Sequence, residues 1–262
     1  MSLTLGSGPL APGTTSTADW NVDLSGAPAH RIVLQPDPRR IRALVGNTVV
    51  LDTTRAHLLH ETAIMPVVYA PLEDYTAGVW ADSDTSTHCP FKGDAAYRSL
   101  TGDRPVDDLL WHYPEPVEAA SFLQGFGALY ADKVDAWFVE EDRVFAHLKD
   151  PYHRVDAHVS SRPVTVRRDG EVVARSERPV LIFETGLPVR AYVSPADVLP
   201  GAISSGSGQR SLCPYKGEAT YWNVGPVEDA AWSYESPLPD VLRAQGHLCF
   251  DDSKDKITVE LG

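Results

Sequence analysis

The sequence predicts a mainly β protein of two homologous small β-rich domains in tandem. Each domain is expected to contain two packed or crossed antiparallel sheets and one short helix. Three observations support this fold class: a long internal repeat, short runs of alternating apolar residues, and 21 prolines and 19 glycines, which suit many strands joined by turns. With 262 residues that are 43% hydrophobic and 23% charged, the chain is long enough to form an ordinary buried core in each half.

The internal repeat covers nearly the whole chain. Residues 87–97 (THCPFKGDAAY) recur as residues 211–221 (SLCPYKGEATY), and residues 55–62 (RAHLLHET) recur as residues 178–185 (RPVLIFET). The order of the matching segments is kept and their spacing drifts by only a few residues, which indicates a duplicated domain. We therefore predict three parts: a flexible tail (1–28), a first repeat domain (29–142) and a second repeat domain (150–262).

Each copy is predicted to begin with a β-hairpin. In the second copy, two alternating runs flank Asp169-Gly170, a pair that favours the positive φ angles of a tight hairpin turn. Gly46-Asn47 takes this place in the first copy. Further strands are predicted at residues 58–59, 135–140, 180–183 and 256–260.

Two other segments have distinct signals. A proline precedes or begins a helix-forming run at residues 117–123 and again at 239–244, which predicts the short helix of each copy. Residues 201–208 (GAISSGSG) are rich in glycine and serine but lack the Lys-Ser/Thr of a phosphate-binding loop, so they predict a flexible loop.

The repeated Cys-Pro-aromatic-Lys-Gly turn is the most chemically suggestive motif. A turn that starts at Cys89 or Cys213 brings Lys92 or Lys216 close to the sulfur, and a nearby cation raises the thiolate fraction of a cysteine. Gly93 and Gly217 would let the backbone approach a ligand closely. The alternative is that the cysteine packs in the core, the lysine is solvated and the turn is only structural.

Other repeated polar and aromatic residues carry the same pair of interpretations. Glu61 and Glu184 are candidate bases or hydrogen-bond acceptors at the mouth of a pocket, or else solvated or paired edge charges. The aromatic residues are candidate walls for a planar ligand, or else core residues. The candidate ligand-binding set also includes Arg55, Tyr69, Tyr97, Trp111, Tyr113, Arg178, Tyr192, Tyr221, Trp232 and Tyr234.

Several classes of function are disfavoured. A net charge of −13 argues against a surface that binds nucleic acid or anionic lipid, and no apolar run is long enough for a transmembrane helix. The three cysteines do not form a disulfide framework, and no secretory signal is evident, so we expect a cytoplasmic protein. No metal-ligand spacing or dinucleotide fingerprint is found, and we expect neither a metal nor a cofactor.

In combination, these motifs resemble a family of small bacterial and fungal domains, the domain of unknown function family 427. Arg55, Glu61-Thr62, Cys89 to Gly93 and Trp111 to Pro114 carry the resemblance in the first copy, and their counterparts carry it in the second. The resemblance implies a mostly β domain that often occurs in tandem and is loosely labelled nucleotidyltransferase-like. The paired metal-binding carboxylates of a polymerase-type transferase are not found.

The second copy lies closer to the family pattern. It has Ala230-Ala231 and Ser233 where the first copy has Leu109-Leu110 and His112. If only one copy is active, we therefore expect it to be the second.

These observations lead to three hypotheses. The first is an equivalent small-molecule pocket in each repeat for an anionic or phosphate-bearing ligand, serving a thiol- or lysine-dependent transferase in which Cys89, Lys92, Glu61, Cys213, Lys216 and Glu184 carry the chemistry. The second is a non-catalytic scaffold, and the third is a metal-dependent nucleotidyltransferase. We also expect an intramolecular contact between the two repeats.

Overall fold

A computed structural model describes residues 28–144 and 146–262. These residues fall into two units that divide between Asp150 and Pro151. The tail predicted for residues 1–28 lies outside the described residues, apart from Pro28. None of the helices in the described part of the chain is long and apolar enough to cross a membrane.

The first domain contains one large and one small antiparallel sheet. The large sheet has seven strands in the order β1-β4-β5-β9-β8-β7-β6, and the small sheet has four in the order β11-β10-β2-β3. The strands are β1 (Ile32–Pro36), β2 (Ile41–Val45), β3 (Thr48–Thr53), β4 (His57–Glu61), β5 (Ile64–Pro71), β6 (Trp80–Cys89), β7 (Gly93–Leu100), β8 (Val106–His112), β9 (Phe126–Leu129), β10 (Ala136–Val139) and β11 (Asp142–Val144). Three 3-10 helices span Leu72–Asp74, Glu118–Leu123 and Ala131–Lys133.

The second domain repeats this plan. Its large sheet has the order β12-β15-β16-β20-β19-β18-β17 and its small sheet the order β14-β13-β21. The strands are β12 (Val155–Val159), β13 (Val164–Arg168), β14 (Glu171–Ser176), β15 (Val180–Glu184), β16 (Arg190–Val193), β17 (Ile203–Cys213), β18 (Gly217–Val224), β19 (Val227–Tyr234), β20 (Leu248–Phe250) and β21 (Ile257–Leu261). Two 3-10 helices span Pro195–Asp197 and Pro239–Ala244.

Successive side chains along the strands of each large sheet belong to two different apolar clusters, one on each face of the sheet. Leu181 and Ala191 belong to a cluster that includes Val164 and Val166 of the small sheet. The residues that follow them, Ile182 and Tyr192, belong to a second cluster with residues of the 3-10 helix Pro239–Ala244. Because successive side chains of a strand point to opposite faces, the large sheet packs against the small sheet on one face and carries the aromatic residues on the other.

The predicted fold class is confirmed, as are both hairpins and the predicted strands. At the Asp169-Gly170 turn, both residues have positive φ angles. The predicted helices form as 3-10 helices, each with one non-helical residue inside.

The prediction of a flexible loop at residues 201–208 is wrong, because most of this segment belongs to strand β17. Its pairing with β18 is irregular between Ser205 and Arg210, so the glycines and serines accompany a distorted stretch of strand.

Candidate functional site

The candidate site of the second domain lies on the aromatic-bearing face of its large sheet. Glu184 is the last residue of β15, and Lys216 lies in the turn between β17 and β18. Tyr192 comes from β16 and Trp232 from β19, so four parts of the fold contribute to the site.

At the centre of the site, Glu184 binds two basic side chains. Lys216 Nζ donates a hydrogen bond to Glu184 Oε2 at 2.5 Å, and His153 Nε2 lies 3.0 Å from Oε1. The three side chains are nearly buried, with 13% of Lys216, 10% of Glu184 and 8% of His153 exposed. The carboxylate is therefore held by a charged donor on one oxygen and by an imidazole on the other.

The pKa of Glu184 reflects these contacts. Burial raises the pKa, but the hydrogen bond from His153 and the charge and hydrogen bond of Lys216 outweigh burial and bring the pKa to about 2. Glu184 is therefore a fixed anion at neutral pH, and this favours a positioning or hydrogen-bonding role over that of a proton-accepting base.

The first domain contains the same group of three side chains. Lys92 Nζ contacts Glu61 Oε2, and His30 Nε2 lies 2.9 Å from Glu61 Oε1. Lys92 Nζ also lies 5.9 Å from the centre of the Tyr113 ring. The His-Glu-Lys group is thus a duplicated feature of the fold.

The two histidines of this group, His30 and His153, lie outside the residues predicted from the sequence. His30-Arg31 and His153-Arg154 are separated by 123 positions, the same spacing that relates Arg55 to Arg178, so a longer repeat alignment would have found them.

The structure shows why the histidines take these positions. The His30 ring stacks on Phe91 with ring centres 3.6 Å apart, and the His153 ring lies 4.2 Å from Tyr215, so each packs on the aromatic residue of the Cys-Pro-aromatic-Lys-Gly turn. Thr62 Oγ1 and Thr185 Oγ1 each accept a hydrogen bond at 2.9 Å from the backbone N–H of the residue after the histidine.

A cavity of about 320 Å³ adjoins the His-Glu-Lys group of the second domain. Its charged lining residues are Glu184, Arg190, Lys216 and Asp251. Its aromatic lining residues are Tyr192, Tyr221, Trp232 and Tyr234. The cavity therefore combines flat apolar surfaces with both signs of charge.

Hydrogen bonds fix the orientation of the aromatic walls. Trp232 Nε1 donates to Tyr192 Oη at 3.0 Å, and Tyr221 Oη lies 2.7 Å from Ser211 Oγ. Burial raises the pKa of both Tyr192 and Tyr234, so these two phenols are neutral at physiological pH. A ligand entering this cavity would meet walls that are already in place.

Arg190 and Asp251 lie outside the sequence-predicted set. Arg190 forms an ion pair with Asp252, and its guanidinium carbon lies 5.8 Å from the centre of the Trp232 ring. The corresponding positions of the first domain are Val67 and Tyr130, so the repeat itself contains no signal for either residue.

Some predicted residues lie outside the lining of this cavity. Cys213 packs against the apolar cluster that includes Val155, Tyr215 and Tyr234, and Cys89 packs in the same way in the first domain. Gly217 and Gly93 have φ angles of +104° and +103°, and a Cβ at Gly217 would lie 3.3 Å from the carbonyl oxygen of Ser236. These glycines therefore permit close packing of the turn on the following loop, and the expected approach of their backbone to a ligand stays a prediction.

The two arginines that the sequence grouped with the glutamates also lie elsewhere. Arg178 is exposed and precedes β15, while Glu184 ends that strand. Glu184 lines the cavity and Arg178 is not among its lining residues. Arg55 instead pairs with Glu73 at 2.7 Å and contacts Asp74.

The first domain arranges its aromatic residues in the same way. Trp111 Nε1 donates to Tyr69 Oη at 3.1 Å, and Tyr97 Oη lies 2.7 Å from Thr87 Oγ1. The main difference is Tyr130, whose ring centre lies 4.5 Å from that of Trp111. The predicted residues Tyr69, Tyr97, Trp111 and Tyr113 are thus brought together, with an additional aromatic ring against them.

Within the described residues, no group of three or more His, Cys, Asp or Glu side chains is arranged to hold a metal ion.

A family model described as a domain of unknown function, DUF427, matches residues 33–140 and again residues 156–260. No curated protein matches the chain. Because the two matches cover more than half of its length, the chain belongs to the DUF427 family, in a form that carries two copies of the domain.

Proposed function

We propose that the protein binds a small planar molecule in the cavity of its second domain. The observation that carries this proposal is the lining itself, in which hydrogen-bonded aromatic side chains and both signs of charge surround about 320 Å³. This volume lies at the lower end of the range of about 300–1,000 Å³ found for small-molecule sites. Apolar walls with a few fixed polar groups are typical of such sites.

The charges favour a ligand with both hydrogen-bond donors and acceptors. Lys216 is paired with Glu184, and Arg190 is paired with Asp252. An anionic or phosphate-bearing ligand, as expected from the sequence, would have to draw one of these cations away from its carboxylate partner. A ligand that offers an acceptor to Arg190 and a donor to Asp251 would leave both pairs in place.

The contacts favour binding over covalent transfer. Cys213 packs against an apolar cluster and is not among the residues that line the cavity. An amine that attacks a substrate has to leave its ion pair first, and Lys216 is held by a nearly buried carboxylate. We therefore assign Lys216 and Glu184 a role in holding the ligand and the cavity wall.

The scaffold hypothesis applies best to the first domain. It has the same His-Glu-Lys group, but Val67 and Tyr130 stand at the positions of Arg190 and Asp251, and the Tyr130 ring lies against Trp111. We propose that the first copy keeps the framework for stability and leaves ligand binding to the second.

Ligand-observed NMR on the full chain tests the proposed function. The fragment set should include phosphates, carboxylates, amines and aromatic rings, and we expect some fragments to compete for one site. Arg190→Ala should weaken their binding, because Arg190 lines the cavity. Arg175→Ala is a matched control, since Arg175 is also an arginine of the second domain but is exposed and pairs with Glu177. The proposal fails if no fragment binds, or if Arg190→Ala and Asp251→Ala both leave binding unchanged.

A further inference from the structure

We infer that the ligand of the second domain contains an aromatic ring with a cationic or hydrogen-bond-donating substituent. The ring would lie against Trp232 and Tyr221, at the position that the Tyr130 side chain occupies in the first domain. This inference rests on the proposed function and specifies its ligand class.

The backbone establishes that Tyr130 and Asp251 are equivalent positions. Tyr130 N–H donates to the carbonyl of Leu109 at 3.1 Å, and Asp251 N–H donates to the carbonyl of Ala230 at 2.9 Å. Each residue directly follows the strand that pairs with the tryptophan strand, β9 in the first domain and β20 in the second. The backbones of the two domains are therefore in the same register here, and the domains differ in the side chain at this position, which is Tyr130 in the first and Asp251 in the second.

In the first domain, Tyr130 shows how this surface receives an aromatic ring. Its ring centre lies 4.5 Å from Trp111 and 6.4 Å from Tyr97, and it is within 8° of parallel to Tyr97. Its hydroxyl lies 3.5 Å from that of Tyr97. These are the separations at which aromatic pairs attract one another.

The second domain keeps both walls and replaces the ring. Trp232 and Tyr221 make the same hydrogen bonds as Trp111 and Tyr97, to a tyrosine and to a hydroxyl side chain respectively. Both walls and Asp251 line the cavity of the second domain. The fold thus retains a surface shaped for an aromatic ring, while none of the residues that the structure describes places a ring there.

Asp251 and Arg190 indicate the substituents on the ring. Asp251 Oδ1 accepts hydrogen bonds from the hydroxyl of Ser253 at 2.6 Å and from its N–H at 3.1 Å, so the carboxylate is fixed. Among the described residues, Asp251 Oδ2 has no hydrogen-bonding partner, and it suits an ammonium or another donor. Arg190, close to the Trp232 ring, suits an acceptor such as a phenolic oxygen.

A matched pair of probes tests the aromatic ring. Phenethylamine and 2-cyclohexylethylamine carry the same ammonium chain and differ in ring character, and tyramine adds a phenolic hydroxyl. We expect phenethylamine and tyramine to bind the full chain about tenfold more tightly than the cyclohexyl compound, measured by calorimetry and by quenching of tryptophan fluorescence. Inorganic phosphate and benzoate are measured in the same way, as anionic probes for comparison with the amines.

The variant Asp251→Tyr tests whether the ligand binds at the place that corresponds to the Tyr130 ring of the first domain. If this variant adopts the arrangement of the first domain, its new ring will fill the site, reduce phenethylamine affinity about tenfold or more and raise Tm, because filling a cavity stabilises the folded state. Asp251→Asn keeps the size of the side chain, and it should weaken the amines while leaving p-cresol unchanged. Near-UV circular dichroism of both variants checks that the fold is intact.

The outcomes separate this inference from the proposed function. If benzoate binds in an Arg190-dependent manner while the aromatic amines do not, the planar-molecule site stands and the inferred cationic or donating substituent is wrong. If phosphate binds in this manner and no aromatic probe does, the inferred aromatic ring is wrong. If none of the probes and no fragment binds, both fail. If the aromatic and cyclohexyl amines bind equally, the ring plays no part and the inference is overturned.

Discussion

At the scale of single residues, Glu184 links the candidate site to the stability of the fold. Its pKa in the folded state is about 2, compared with an ordinary value of 4.5. A carboxyl group whose pKa is lowered by folding stabilises the folded state at pH values above its unfolded pKa. That stabilisation is lost as the pH falls from about 4.5 towards 2.

We therefore predict that Glu184→Gln reduces the pH dependence of the free energy of unfolding in this window. At neutral pH the variant should be less stable by on the order of 3 kcal/mol, because Lys216 loses the carboxylate that balances its nearly buried charge. The difference from the unmodified protein should shrink as the pH falls through the window. Urea unfolding at pH 7, 5, 4 and 3 measures both effects.

The control for this prediction is Glu218→Gln. Glu218 is also a glutamate of the second domain, but 58% of its side chain is exposed and its partner Arg210 lies 3.5 Å away. Exposed ion pairs contribute little, about 0–1 kcal/mol, so this variant should follow the unmodified protein at every pH. Equal pH dependence in Glu184→Gln and the unmodified protein would contradict the assigned pKa.

Individual residues of the site were predictable only in part. Lys216, Glu184 and the aromatic residues recur in both copies, and the structure groups them around one cavity. Cys213 recurs equally well, but repetition does not show on which face of a strand a side chain lies. Arg190 and Asp251 do not recur at all, and only the pairing of β16, β19 and β20 brings them to the site.

At the scale of secondary-structure elements, strand β17 shows how a glycine- and serine-rich segment can be part of a sheet. A Cβ at Gly206 would lie 2.6 Å from the backbone carbonyl oxygen of Tyr221 and 2.4 Å from Asp229 Oδ1. The glycine is therefore required by the close approach of β17 to β18. Composition alone favours a loop here, because the close approach depends on the partner strand.

We predict that Gly206→Ala destabilises the protein by about 1–3 kcal/mol, since the backbone at Tyr221 would have to move. That movement would also displace the Tyr221 wall, so phenethylamine binding should weaken. Ser204→Ala is the control, because Ser204 is exposed on the same strand. Urea unfolding and calorimetry measure the two effects, and a Gly206→Ala protein with unchanged stability would contradict the required close approach.

At the scale of the whole molecule, duplication has preserved the framework and changed the site. Strand order in the two large sheets is equivalent from one edge to the other, and both domains contain a His-Glu-Lys group. The equivalence of the two domains is expected from the repeated sequence. The proposed difference in ligand binding between the copies rests on Asp251 and Arg190 in place of Tyr130 and Val67. It is apparent only when the surroundings of Trp111 and Trp232 in the structure are compared.

The equivalent lysines of the two domains test this division directly. Lys92→Met and Lys216→Met each remove the cation from a nearly buried glutamate while keeping a side chain of similar length. Both variants should therefore lose stability by a similar amount, on the order of 3 kcal/mol. Calorimetry with phenethylamine should give the unmodified affinity and one site per chain for Lys92→Met, whereas Lys216→Met should bind about tenfold more weakly, because Lys216 lines the cavity. Equal loss of binding in the two variants, or two sites per chain in the unmodified protein, would show that both copies bind ligand and that the Tyr130 ring does not distinguish them.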